Sequence, residues 1–453
     1  MPEVINATDA EYNATTRSTE FQVELYLYGD LREPLIINRD NYLIDCNILE
    51  ETNSEEKSPF GSVTANEVSL RLMNKDSLFS PTNTSSPYYG YMRRGIKLVV
   101  YIRPAPKGDI EYAWDKLGEF YTTDWEATLT SITADITAAD KMYNIFEQPD
   151  AKVPVMHDID FATCFRYVFN TLGEFVRVDD TLIRHLTLLY SSDTNKDLLT
   201  KLSIGAIANC FCNHSGEPIV QSIIAKRPLR ATLTDSDQII DAGASQSSDT
   251  SYTGTSVTCN APSESTPVEL LSVPEFVVPA GTVQHKPISL SESPMIRLVH
   301  ASLIGTRDAY VESITGTSTD VTITTSNASN IESQIPLSVY GTHIINTSTA
   351  FSDNSATDLV IDNPYVQTPE YAEYYKRVLQ KYISSDTPVI VVQVRGNPLL
   401  NLGDKIRIVS EKYMLDFTGI ILRQEFNYNG ALSGTITLLS DAILEEAINE
   451  VHV

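Results

Sequence analysis

Period-two alternation of apolar and polar residues, recurring near both ends of the chain, is the feature that most limits what this sequence can form. Phe21, Val23, Leu25 and Leu27 point one way while Gln22, Glu24, Tyr26 and Tyr28 point the other, which is a strand with one buried face. The pattern returns at 42–46, from Val63 to Leu72, through Ile96, Leu98, Val100 and Ile102, and from Leu117 to Asp140. Turn-rich breaks such as Ser80-Pro81-Thr82-Asn83 separate these runs. It resumes at Val389 to Val394, Lys405 to Val409 and Gly419 to Tyr428, and the Asn429-Gly430 turn sends Gly434 to Leu439 back. The strands after Pro388 are too few for a sheet of their own, so they are expected to finish a barrel begun before Ile361.

Three stretches change to helical spacing. Phe161, Cys164, Phe165, Val168, Phe169 and Leu172 trace one stripe, with Asp160 placed to cap its start and Gly173 its end. A second helix is predicted from about Lys196, with Leu198, Leu199, Leu202 and Ala206 on one side. A third starts at Thr368-Pro369, with Tyr371, Tyr375, Val378, Leu379 and Tyr382 on one face. Between the first two, Thr181 to Tyr190 reads as a strand, and Gly216 marks a hairpin turn. Residues 244–267 are rich in Ser and Thr and read as a mobile loop or linker. Val268 to Ile361 reads as further short strands, and Ile443, Leu444 and Ala447 as a short terminal helix.

At 453 residues the chain exceeds what one core supports. The expected fold is mainly β with a smaller α/β part. Residues 1–150 form a first tube-like antiparallel β-barrel and 151–230 an α/β lobe. Residues 231–387 form a β-rich region holding the Ser/Thr-rich loop and a helix at 368–383, and 388–453 complete a second barrel and end in the short helix.

The 33 basic and 59 acidic residues give a net charge of −26, which repels phosphate backbones and anionic lipid. Nucleic-acid binding is therefore rejected as the function, although a like-charged wall lets DNA pass without sticking. No run of about 18 uncharged apolar residues spans a membrane and no secretion signal opens the chain. Cys46, Cys164, Cys210, Cys212 and Cys259 are too scattered for a disulfide framework, so assembly in the cytoplasm of the producing cell is expected.

Candidate chemistry resolves into structure. Cys210, Cys212 and His214 have zinc-like spacing but no fourth ligand, and Cys210, placed at a helix end, reads as a buried structural thiol. His157, Asp158 and Asp160 share a short stretch, yet Asp160 is accounted for as a cap. Glu50-Glu51 with Glu55-Glu56, Asp179-Asp180 and Glu445-Glu446 read as solvated runs and not as glycosidase pairs. Trp114, Trp125 and the 23 tyrosines fit a sugar platform or ordinary strands and interfaces equally well. No nucleophile elbow, zinc-protease or phosphate-loop motif occurs. No catalytic, cofactor-binding or metal residue is assigned, and no cofactor is expected.

Three stretches resemble the central hub proteins of phage tails and related contractile injection systems. The first runs from Gly95 to Ile102 through Leu117 to Tyr121 and Ile132 to Asp135 to Ala139-Asp140-Lys141-Met142, similar to the family's first barrel. The second is Leu359 to Tyr365 with the helix after Thr368. The third is Gly396 to Ile406, followed by Asn429-Gly430 and Gly434 to Leu438. The resemblance implies a homotrimer in which two tube-like barrels per chain form a pseudo-sixfold ring. That ring adapts a sixfold tail tube to a threefold spike and forms part of the DNA channel. It implies a virion location at the tail tip or baseplate. The implied partners are the tail tube or distal-tail protein and a central spike or tip protein, the spike or any lysin being a separate polypeptide. A distal-tail or receptor-binding component recognising cell-surface glycan, and a tail-associated peptidoglycan hydrolase, are the competing readings.

Overall fold

The computed structural model describes residues 3–14, 17–30, 32–52, 61–189, 193–236, 238–244, 252–291, 295–304, 308–317, 319–353, 355, 357–384 and 389–441. Its largest feature is one thirteen-stranded sheet. Seven strands of its first half pair in the order Leu43–Glu51, Glu67–Met73, Thr133–Asp140, Asp115–Glu126, Lys97–Pro104, Thr19–Leu25 and Leu35–Asn38. All these pairings are antiparallel. The inward residues Phe21, Val23, Leu25, Ile48, Leu70, Leu98, Phe120 and Ile136 form its core, and Phe79 and Met92 from the long connection before Lys97 join them.

The second half contains Leu229–Thr234, Lys405–Ser410, Leu415–Tyr428, Leu432–Ser440, Val389–Val394 and Ile239–Ala244, wrapped round Leu233, Ile390, Val392, Ile406, Ile408, Ile436 and Leu438. The strands after 388 pair with Leu229–Thr234 and Ile239–Ala244, which precede Ile361. Two details differ from the expected pair of antiparallel barrels. Leu229–Thr234 joins Lys405–Ser410 in parallel, because the chain crosses over between them. Neither half closes either: among the described residues Leu35–Asn38, Leu229–Thr234 and Ile239–Ala244 are edge strands, so the barrels are two open halves of one sheet.

The α/β lobe follows the sequence closely at its first helix. Phe161–Thr171 is capped by Asp160, whose carboxylate accepts from Thr163 N at 2.6 Å, and Phe161, Cys164, Phe165, Val168 and Phe169 are buried. The second helix is Asn195–Ala206, and Gly216 turns Ala208–Cys212 into Pro218–Ser222. The expected strand at 181–190 is only His185–Leu188, because Asp179 accepts from Thr181 N at 3.0 Å and holds a turn just before it. Cys210 lies in a strand buried along its whole length and not at a helix end. Helix Pro369–Ser384 puts Tyr371, Tyr375, Val378 and Leu379 into the lobe's core, and Tyr375 Oη donates to Ile204 O at 2.9 Å.

The loop expected at 244–267 is corrected. Gly254–Glu264 is a strand between Ser333–Ser352 and Asp358–Asp362, with Val257 and Cys259 buried against the lobe. Its hydroxyl-rich composition looked disordered, but β-branched threonines suit a ladder paired on both edges. Residues 245–251 of that stretch lie outside the described residues, as does the expected terminal helix. Val268–Val278 and Met295–Leu303 extend the Gly254–Glu264 sheet along Ser333–Ser352, and the other inserted strands form a four-stranded sheet packed with them around Leu270, Phe276, Val278, Ile323, Leu337 and Val339.

Candidate functional site: the junction of the two half-barrels

One strand belongs to both halves. Leu415–Ser410 pairing fixes its first part in the second half, where Leu415 to Ile420 lie against Lys405–Ser410. Beyond a bulge between Ile421 and Arg423, residues Arg423 to Tyr428 pair with Cys46 to Glu51 of the first half. Leu432–Ser440 runs along its other edge from Gly419 to Tyr428. The bulge re-aims the side chains: Ile421 enters the second core, Ile420 and Leu422 face the lobe, and Phe426 and Tyr428 enter the first core. There the Tyr428 ring stacks on Phe21 at 4.5 Å. A Cβ at Gly434 would lie 2.2 Å from the Glu425 carbonyl oxygen, so only glycine fits opposite this stretch.

A buried polar network locks the junction. Glu50 shares the inward face of Cys46 and Ile48, where its carboxylate accepts from Gln424 Nε2 and lies 2.9 Å from His214 Nε2 of the lobe hairpin. Gln424 Nε2 also donates to Leu400 O at 3.0 Å, while its Oε1 has no partner among the described residues. Burial works against the charged imidazole, but the Glu50 carboxylate beside it overrides that and raises the His214 pKa. Nearby, Asp140 accepts from Asn66 N at 3.0 Å and from Met142 N at 2.9 Å, capping helix Lys141–Phe146. Burial pushes its carboxyl up to about 7 despite those donors.

Both shifts have the same sign for stability. A group whose folded pKa is raised binds its proton more tightly in the native state, so its contribution is lost as pH rises through the folded value. The stability difference between the native chain and Asp140→Asn is therefore expected to fall as pH rises from about 4 through 7. Urea unfolding at several pH values measures it, and a pH-independent difference contradicts the assignment.

The amino-terminal segment is a second fastener. Tyr12 Oη donates to Asp115 of the first half at 2.7 Å, and Arg17 donates to Gly396 O at 2.8 Å and Leu432 O at 3.3 Å in the second. Asn397 Nδ2 donates to Asp9 at 2.9 Å, and Arg230 pairs with Asp9 at 2.7 Å.

The opposite face of the junction is polar. Asn47 Nδ2 donates to Asn427 Oδ1 at 2.6 Å and to Glu425 at 2.7 Å, and Ser69, Thr137, Ser433, Thr435 and Thr437 extend the row across neighbouring strands. Glu51, Glu67, Asp45, Asp135 and Glu425 share this face with Arg71 and Arg423, and Arg71 Nε lies 2.8 Å from Asp135.

The other sequence candidates are dispersed. Cys210 and Cys212 are buried thiols pushed up by burial, and His214 turns to Glu50. No group of three or more His, Cys, Asp or Glu with metal-binding geometry occurs among the described residues. Asp158 meets His185 Nδ1 at 2.9 Å on the exposed side of the lobe, and Asp180 lies 3.6 Å from Arg166. Trp125 donates its indole N–H to Phe79 O, and Trp114 lies under the Arg103 guanidinium, so the two tryptophans do not form one platform. Glu55, Glu56, Glu445 and Glu446 lie outside the described residues. Sequence reasoning missed Gln424 and Arg17, and treated Glu50 as surface. The available signal was parity, which puts Glu50 in line with Cys46 and Ile48, and Gln424 in line with Phe426 and Tyr428.

Gly403 and Asp404 lie in a turn between strands. Asp404 N donates to Asn401 O at 3.1 Å, and the Asp404 carboxylate accepts from Asn401 N at 2.9 Å. Asparagine retains that acceptor, and burial already raises the Asp404 carboxyl. Asp404→Asn is expected to change stability by less than about 1 kcal/mol. Denaturant titration checks this, and a folded variant that fails to assemble would reveal a contact site there.

The fold is that of phage tail proteins. The 43 kDa tail protein of prophage MuSo2 from Shewanella oneidensis superposes with a TM-score of 0.53 at 11% identity, over 94% of this chain and 99% of that one. A tail protein from Neisseria meningitidis superposes with a TM-score of 0.51 at 10% identity, over 95% and 98%. No protein-family model matches the chain. No curated protein matches it in sequence. No helix among the described residues is long and apolar enough to cross a membrane.

Proposed function

We propose that the chain is the structural hub of a phage-type tail tip or baseplate, adapting a sixfold tube to a threefold spike. The observation that supports this reading most is the shared strand Leu415–Tyr428, which turns two half-barrels of one chain into a continuous wall. Three such chains supply six half-barrels around an axis, with the open edge strands covered by neighbours. In this reading the four-part division of the chain places the two halves in the ring and the lobe and inserted sheets outside it. The polar face centred on Asn47 and Asn427 lines the channel. Its carboxylates and hydroxyls let DNA slide without binding, and its partners are the tube or distal-tail protein on one side and the spike on the other. The chain acts as a scaffold in the virion, without catalysis or cofactor, after assembly in the host cytoplasm.

Immunogold labelling of intact particles tests the placement. Label confined to the tip end of the tail is expected, whereas label along the tube or on head structures contradicts it. Zymography on cell walls and glycan arrays address the hydrolase and the receptor-binding readings, and both are expected to be negative.

A further inference from the structure

We propose that a cavity on the lobe, at the start of helix Pro369–Ser384, is a binding site for a carboxylate carried on a short carbon stem. The cavity holds about 120 Å³ and is lined by Phe161, Arg184, His185, Tyr365, Thr368 and Tyr371 among others. It lies on the lobe, and the inference does not depend on the hub reading.

Arg184 is the central observation. Its guanidinium carbon sits 4.5 Å from the ring centre of Tyr371 and 4.8 Å from that of Tyr374, so two aromatic faces hold the planar fork in place. Both rings are themselves fixed in the core, Tyr371 by donating its hydroxyl to Gly205 O at 2.5 Å. No carboxylate among the described residues lies within ion-pair distance of Arg184, and none of its side-chain N–H groups has a protein acceptor there. That is unusual company for a chain with 59 acidic residues. A planar fork already ordered, with its donors uncommitted, matches a carboxylate in shape and charge.

The rest of the cavity agrees. Thr368 caps a sixteen-residue helix, whose dipole adds a partial positive charge at this end. The rings of Phe161 and Tyr365 supply an apolar flank for methylene groups. The opposing terms are Asp158, Asp160 and Glu370. Asp158 is almost fully exposed and already paired with His185 at 2.9 Å, Asp160 accepts from Thr163 N as a helix cap, and Glu370 in the first helical turn is exposed, so their fields reach the cavity screened. The volume suits one acidic side chain or a small organic acid and excludes a long chain.

Calorimetric titration of the full chain at constant ionic strength, with sodium propionate as the probe, tests this. Saturable millimolar binding is expected, with none for propionamide. Arg184→Gln is expected to bind propionate at least about tenfold more weakly. Arg184 is exposed, so its melting temperature without ligand should stay within about 2 °C of the native value, which separates lost binding from lost folding. A blocked Gly-Glu-Gly peptide forms the second arm. Binding of the peptide as tight as that of propionate identifies a protein side chain as the source, and exclusion of the peptide identifies a small acid. Absence of saturable propionate binding, or equal binding by Arg184→Gln and by the native chain, overturns the site.

Discussion

Phe165→Asp is expected to unfold the lobe. Phe165 is fully buried on helix Phe161–Thr171, among Cys164, Val168, Phe169 and the apolar face of Asn195–Ala206. The substitution removes a large apolar side chain and leaves a carboxylate with no partner, at a cost of about 4 kcal/mol or more. The lobe core also receives Ile420, Leu422 and Leu439 from the second half of the large sheet, so the damage should spread to the junction. Near-ultraviolet circular dichroism and hydrogen exchange over 156–223 measure it. A soluble variant with native melting would contradict the packing described.

Glu50→Ala should be nearly as costly, about 3–5 kcal/mol, although it deletes a residue that reads as surface in the sequence. The loss is larger than for a surface ion pair because the Glu50 and His214 side chains are only 3% and 13% exposed, so His214 loses the carboxylate in contact with it and keeps only the more distant charges of Asp404 and Asp115. Gln424 Nε2 loses an acceptor in the same step. Replacing both partners, as Glu50→Leu with His214→Phe, should recover much of the stability, because no uncompensated charge then remains. Denaturant unfolding of the two single variants and the double variant gives the coupling directly. A single-variant loss below about 1 kcal/mol would show that the pair does not lock the junction.

Local structure was legible where one short stretch carries the whole signal. Asp160 at the head of the Phe161 stripe, Thr368-Pro369 before the tyrosine face, and Asn429-Gly430 between two alternating runs each fix an element by local geometry alone. The strand at Gly254–Glu264 was hidden, because its partners begin some 80 residues later and its own hydroxyls resemble a linker. The joining of the halves was hidden for the same reason. Alternation shows that Arg423 to Tyr428 is a strand, but not that its free edge meets Cys46 to Glu51, nearly 380 positions away. Glu50 illustrates the cost of reading composition before parity. Its acidic neighbours suggest solvent, whereas its register with Cys46 and Ile48 faces it inward. Arg184 carried no sequence signal, since the two tyrosines that hold it come from a helix far along the chain.

In the proposed hub, two open half-barrels per chain close with those of two other copies. Electron cryomicroscopy of the purified assembly tests it most directly. A threefold ring with six half-barrels around a central channel, walled by the Asn47 and Asn427 face, is expected. Two-fold dimers without a channel, or a ring in which that face points outward, would contradict it.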